Sequence, residues 1–226
     1  GLLETSKYMF FERYSAAELQ NMVISEMQHP YLFGGAAKIA ELKSVLNGAP
    51  GGVRDALQSR YESLLAAADA YVNAEEINYT VTDGLRLLGP AQEFKRRATT
   101  LAFAYKMTEK SKYLIRLNTE MDRALSLDDW NAENHFLDPA ELALGMIFAY
   151  DWCYEEIGEA RQADIESKIN SYFLDYVEAA YKREQDAFWT TTNINWNMVT
   201  NGSAAVCALG LWNNDAERYA WFAELA

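Results

Sequence analysis

The residues with the most chemistry to offer lie between Phe188 and Trp212. Asn193, Asn195, Asn197 and Asn201 crowd one short stretch, with Trp189 and Trp196 beside them. A primary amide donates and accepts hydrogen bonds at once, and an indole offers a flat apolar face with one polar corner. Together they suit a sugar, which presents hydroxyls at its edge and C–H groups on its faces. Asparagine also favours helix N-caps, so capping competes for the same cluster. For Asn195 both readings stand. Asn197 and Asn201 fall further into the expected helix, where packing or capping is the simpler role.

A second stretch, residues 127–137, has a similar make-up, and Trp130, Asn134 and His135 are its candidates for ligand contact. His135 would touch a substrate or steady its own loop. Trp130, Trp189 and Trp196 would stack on sugar rings or fill the top of a core. The two stretches also hold the carboxylates Asp128, Asp129, Glu133 and Asp186. A glycoside hydrolase needs two such groups roughly 5–10 Å apart across its cleft. Asp151 stands alone in an apolar run, as an acid or base or as a hydrogen-bond anchor for a neighbouring segment. Cys153 and Cys207 both fall in apolar runs and read as buried thiols rather than a disulfide. The two histidines, His29 and His135, are far apart and no Cys/His grouping has metal-ligand spacing. Neither a metal nor another cofactor is expected in this chain.

Composition narrows the classes. The chain has 226 residues, half of them hydrophobic, enough for a substantial core. Its net charge of −13 argues against a nucleic-acid partner, because phosphate contacts need a basic face. No window of about 18 apolar residues lacks polar breaks, so no membrane span is expected. No secretory signal is visible from Gly1, although a mature form would have lost one.

Helical periodicity runs through the chain and predicts an all-α fold. Residues 1–14 form an approach segment with the aromatics Tyr8, Phe10 and Phe11. Ser15 and Glu18 make a capping box ahead of Leu19, Met22, Val23 and Met27, and His29-Pro30 stops that helix. Further helices are expected from Gly35 to Leu46 and, after the Gly48–Gly52 turn, to Val72. Beyond these, two kinds alternate. The helices over 88–107, 138–155 and 196–212 are apolar on most or all sides. Those over 110–126, 161–183 and from Asn214 carry one apolar stripe. Asp138 as N-cap, Pro139 in the first turn and Glu141 mark the start of the second apolar helix. A helix apolar all round is buried all round, and a striped one lies outside. The alternation therefore predicts antiparallel hairpins in two concentric layers, an incomplete α/α toroid. Its inner helices share one direction, so 127–137 and 184–195 collect at one rim. Long loops on a rigid scaffold and helix N-termini, which favour anions, make that rim the place for a site.

Three groups of residues carry a resemblance. His29-Pro30-Tyr31-Leu32 ahead of a helix, Ala149-Tyr150-Asp151-Trp152, and Asn195-Trp196-Asn197 followed by Asn201-Gly202 occur in that order. From His29 onward the chain resembles the N-terminal helical domain of the heparinase II/III-like polysaccharide lyases, which include relatives acting on alginate. The resemblance implies a partial toroid over 1–226, with N-terminal helices in 1–80 and hairpins in 81–226. In full-length relatives more helices and a β-sandwich domain follow, so this chain is expected to be a fragment, and any structural metal would belong to that missing domain. It also implies a periplasmic or secreted bacterial protein acting on an acidic, uronate-containing glycan by β-elimination. There a neutral amide meets the substrate carboxylate as enolate charge develops, a Tyr or His takes the C5 proton, and a Tyr can protonate the leaving oxygen. The amide role falls on Asn195. The next residue, a histidine base in some relatives, is Trp196 here, and the family's Tyr would lie beyond Ala226. The alternatives are a glycoside hydrolase on a similar ring and a non-catalytic helical module binding glycan or protein.

Overall fold

The computed structural model describes residues 15–22, 27–81 and 83–225, all helix, turn and loop, with no strand among them. The approach segment 1–14 and Val23 of the first stripe lie outside the described residues. The expected capping box forms: Ser15 N–H donates to Glu18 Oε2 (2.7 Å) and Glu18 N–H to Ser15 Oγ (3.3 Å), opening α1 (Ala16–Met22). Next come α2 (Gly35–Leu46) and α3 (Gly52–Val72), then α4 (Leu88–Thr108) and α5 (Ser111–Leu125). The second half holds α6 (Leu137–Trp152), the short α7 (Tyr154–Ile157), α8 (Glu159–Ile169), α9 (Asp175–Tyr181), α10 (Asn195–Gly210) and α11 (Ala216–Leu225). No helix is long and apolar enough to cross a membrane among the described residues.

α6 is the axis of the core, with no residue fully exposed along its length. It packs on α4 on one side and α10 on the other. All three run the same way. At their starts, Leu87 N–H donates to Asp138 (2.6 Å), and the His135 and Trp196 rings meet at 4.7 Å. At their ends, Lys106 pairs with Glu156 (2.9 Å) and Tyr31 Oη donates to the Leu209 and Gly210 carbonyls (2.9 Å each). Such close parallel contact needs small residues. A Cβ on Gly145 of α6 would lie 2.7 Å from the Lys95 Cα of α4, and one on Gly210 of α10 would run into Ile147.

The striped helices cover this layer. α5 buries Tyr113, Leu117 and Met121. α8, α9 and the turn joining them bury Ile165, Ile169, Phe173 and Val177, each four residues after the last. In a 3.6-residue helix that spacing drifts around the axis. A π-helical turn at Asn170–Leu174 takes up the drift and keeps the stripe on one face.

Two expectations need correction. Asp138 does not cap α6. The helix starts at Leu137 with no side-chain cap, and Asp138 turns instead to Leu87, Asn131 and His135. Glu141 likewise leaves the expected box, accepting from Gln92 (3.3 Å) and pairing with Lys95. Nor is α10 buried all round: Met198 is 77% exposed, and Gly202 and Leu209 are exposed on the same face.

Candidate functional site

The 127–137 loop is shaped by its own polar groups. Asp129 Oδ1 accepts the Asn131 N–H (2.7 Å), and Asn131 takes a positive φ of 64°, a conformation asparagine tolerates. The amides of Asn134 and His135 then fold back onto the Asn131 carbonyl (3.2 and 3.0 Å). Opposite, Phe188–Thr190 make one 3-10 turn, pinned to α10 where Asn197 Nδ2 donates to the Trp189 carbonyl (2.9 Å).

Between these loops opens a cleft of 450 Å³, walled by Asn134, Phe136, Tyr176, Phe188 and Trp196. Glu133 from one loop and Asp186 from the other also line it, and the lining includes no Lys or Arg. Burial pushes the Tyr176 hydroxyl's pKa up, and the carboxylates of Glu133 and Asp129 push it further the same way, so the phenol stays protonated. Behind Trp196 lies His135, 7% exposed, its ring edge-on to the indole at 4.7 Å and 77°. His135 Nδ1 is 2.6 Å from Asp138 Oδ1, while Asp138 Oδ2 accepts from Leu87 N–H (2.6 Å) and Asn131 Nδ2 (2.7 Å). A carboxylate that accepts from all three partners calls for an imidazole proton on Nδ1.

The cleft gathers several of the residues singled out from the sequence. Trp196 is half-buried in its wall and Asn134 exposed at its edge. Asn193 and Asn195 are exposed on the neighbouring loop and helix start, outside the lining of the cleft. Asn195 is the first residue of α10, after Ile194 in the cap position, so it is not the N-cap. Asn197 spends its amide N–H on the loop, and Asn201 accepts from Tyr181 Oη (2.9 Å) as a packing group. One candidate is corrected. Trp130 is 0% exposed, its Nε1–H donating to the Ala124 carbonyl (3.1 Å), and belongs to the core. Trp189 is largely buried, its ring stacked on Phe136 at 5.3 Å, and with Phe136 it lines the floor of the cleft. Loop position told which residues were near the rim but not which way each indole pointed. Tyr176 was missed because it sits in the stripe of a covering helix; only its place about two turns before the 184–195 loop hinted at the cleft.

Asp151 proves to be an anchor. Its carboxylate accepts the N–H groups of Tyr31 (3.1 Å) and Leu32 (3.0 Å) and pairs with His29 Nδ1 (2.7 Å). Cys153 and Cys207 are free and buried. A larger hollow of 660 Å³ at the far end is flanked by the Lys43–Glu109 and Lys106–Glu156 pairs. Among the described residues no group of His, Cys, Asp and Glu is arranged to hold a metal ion. No protein-family model matches this chain, and no curated protein matches it.

Proposed function

We propose that this chain is part of an incomplete α/α toroid and works as a polysaccharide lyase of the heparinase II/III-like kind, outside the cytoplasm, on a uronate-containing glycan. The observation that carries the reading is that the two amide- and aromatic-rich loops line a single cleft at the start of the parallel helices. Trp196 and Phe188 give the sugar faces an apolar wall. With no cation in the lining, the uronate carboxylate is met by neutral amides, Asn134 in the wall and Asn195 at the exposed start of α10, and by helix N-termini. A neutral donor also leaves the C5 proton acidic enough to remove, because the carboxylate can take up enolate charge. The test is incubation of the protein with a panel of uronate polysaccharides while following the ultraviolet absorbance of an unsaturated product. Silence across the panel counts against a lyase.

One observation favours a second reading. Glu133 and Asp186 enter the same cleft from different loops, as the two carboxylates of a glycoside hydrolase do. New reducing ends without an unsaturated sugar would select it.

A further inference from the structure

The cleft between the two loops has a charge pattern that elimination does not use. Glu133 enters from the 127–137 loop and Asp186 from the 184–195 loop, and no Lys or Arg lines the space they border. Both carboxylates are exposed. Of the two cations just before the second loop, Lys182 pairs with Glu178 and Arg183 lies outside the lining. The negative field is felt inside: the charges of Glu133 and Asp129 add to burial in holding up the pKa of the Tyr176 hydroxyl. The other walls are rings. Phe188 and Trp196 meet at a corner, centroids 5.0 Å apart and planes at 51°, and Phe136 stacked on Trp189 makes the floor. Carboxylates and ring faces share one preference, since both attract a cation and neither welcomes an anion. A sulfate or a lone uronate carboxylate brought here adds a further negative charge. An ammonium beside it offsets that charge and finds two acceptors and an aromatic wall.

Resting on the reading of this cleft as a glycan site, we propose that it selects an amino sugar with a free ammonium group, held between Glu133 and Asp186 against the Phe188–Trp196 corner, and that it turns sulfated glycans away. Glu133 and Asp186 are then the residues that set specificity. On a uronate glycan the ammonium-bearing sugar lies next to the uronate, so the two enter the cleft with no net charge between them.

Three glucosamine oligosaccharides that differ only at nitrogen test the subsite: free amine, N-acetylated and N-sulfated. A uronate oligosaccharide without amino sugars is run beside them. Calorimetric titration at about pH 5.5 keeps the amine charged and the carboxylates ionised. The free-amine form should bind about tenfold more tightly than the acetylated one, and the sulfated form should not bind. Raising salt from about 0.05 to 0.5 M should shrink the preference. Glu133→Gln with Asp186→Asn should bring the free-amine and acetylated forms to within about twofold of each other. The chain's net charge of −13 draws any cation weakly, so a second double variant is the control. Asp55→Asn with Glu62→Gln removes the same charge from exposed positions on α3, outside the cleft, and should keep the preference. Equal affinity for the free and acetylated forms, tight binding of the sulfated form, or an equal fall in the α3 variant overturns the ammonium subsite. So does binding of the uronate oligosaccharide with none of the free-amine form, which leaves the uronate reading standing. Binding of the free-amine form with no uronate oligosaccharide bound supports the subsite and overturns the uronate reading. Failure of all four to bind overturns both.

Discussion

Helix α6 carries a His–Asp pair at each end, and the two pairs are built for different work. At its C-terminal end, Asp151 faces the negative pole of the helix dipole, an unfavourable place for a carboxylate. It is held there by two backbone N–H groups and by His29, whose ring is stacked on Tyr154 at 4.0 Å and crowded by Tyr31 and Tyr150. Three groups converge on one carboxylate, and the segment entering α2 is tied to the core. At the N-terminal end, Asp138 lies with the dipole and holds His135 by one nitrogen only, with the other side of the ring against a cleft wall. The same two side chains thus clamp the segment entering α2 at one pole and knit the 127–137 loop to the start of α4 at the other. What separates them is the rings beside each histidine, Tyr31, Tyr150 and Tyr154 at one and Trp196 at the other.

The sharpest way to break this contrast is to remove each pole in turn. Asp151→Ala leaves two backbone N–H groups and His29 without an acceptor inside the core. The expected cost is about 3–5 kcal/mol in chemical denaturation. Oligosaccharide affinity at the distant cleft should hold to within about twofold as long as the protein is folded. His135→Asn, which keeps an N–H to offer Asp138, should cost about 1 kcal/mol or less in the same measurement. If the two results change places, the clamp has been assigned to the wrong pole.

A somewhat smaller effect tests the rod between the poles. Gly145→Ala pushes a methyl group against the α4 backbone and the Phe94 ring, where neither neighbour has room to give. Separation of α4 from α6 should cost about 1–3 kcal/mol, measured as a lowered denaturation midpoint. Because Asp138 bonds Leu87 across the same pair of helices, the His135 tautomer should shift in this variant, and the His29 environment should not.

These outcomes bear on what a sequence can disclose. The helices were legible because the stripe in Tyr113, Leu117 and Met121, and its absence around Met146, are one-dimensional patterns of burial. The gathering of two loops was legible too, since it follows from helix direction alone. Asp138 was not. Its spacing to Glu141 satisfies the capping-box pattern, but a cap is only one of the partners a carboxylate can find, and Leu87, Asn131 and His135 arrive through folding. Trp130 failed for a related reason: an indole on a loop can turn inward when a carbonyl such as that of Ala124 waits for its N–H.

The clamp pole should also show itself at alkaline pH. Cys153 lies just beyond Asp151, and burial first, then the Glu156 charge, push its thiol from 9.0 up to about 12. Between those values the unfolded chain has lost a proton that the folded chain keeps, so stability falls as pH rises through that window. Denaturation midpoints should decline from about pH 9 upward, and Cys153→Ala should remove part of the slope. Alkylation of the native thiol at pH 9 should be slow, with a rate set by opening of the fold rather than by thiolate present in the native state.

The smallest expected effect has the opposite sign and probes α10 beside the cleft. Gly202 sits in the interior of α10 with nothing within 4 Å of the position a Cβ would take. Glycine costs a helix interior about 1 kcal/mol relative to alanine, mostly through the freedom it has when unfolded. Gly202→Ala should therefore raise stability by about 0.5–1 kcal/mol, in contrast to the loss at Gly145 on the neighbouring helix. The two substitutions are chemically identical, so any difference in sign reports the surroundings alone. A loss at Gly202 comparable to that at Gly145 would mean that something packs on the face carrying Met198 and Leu209. The cleft wall formed by the start of α10 would then be narrower than its exposed face implies, and the glycan's access to Asn195 would have to be redrawn.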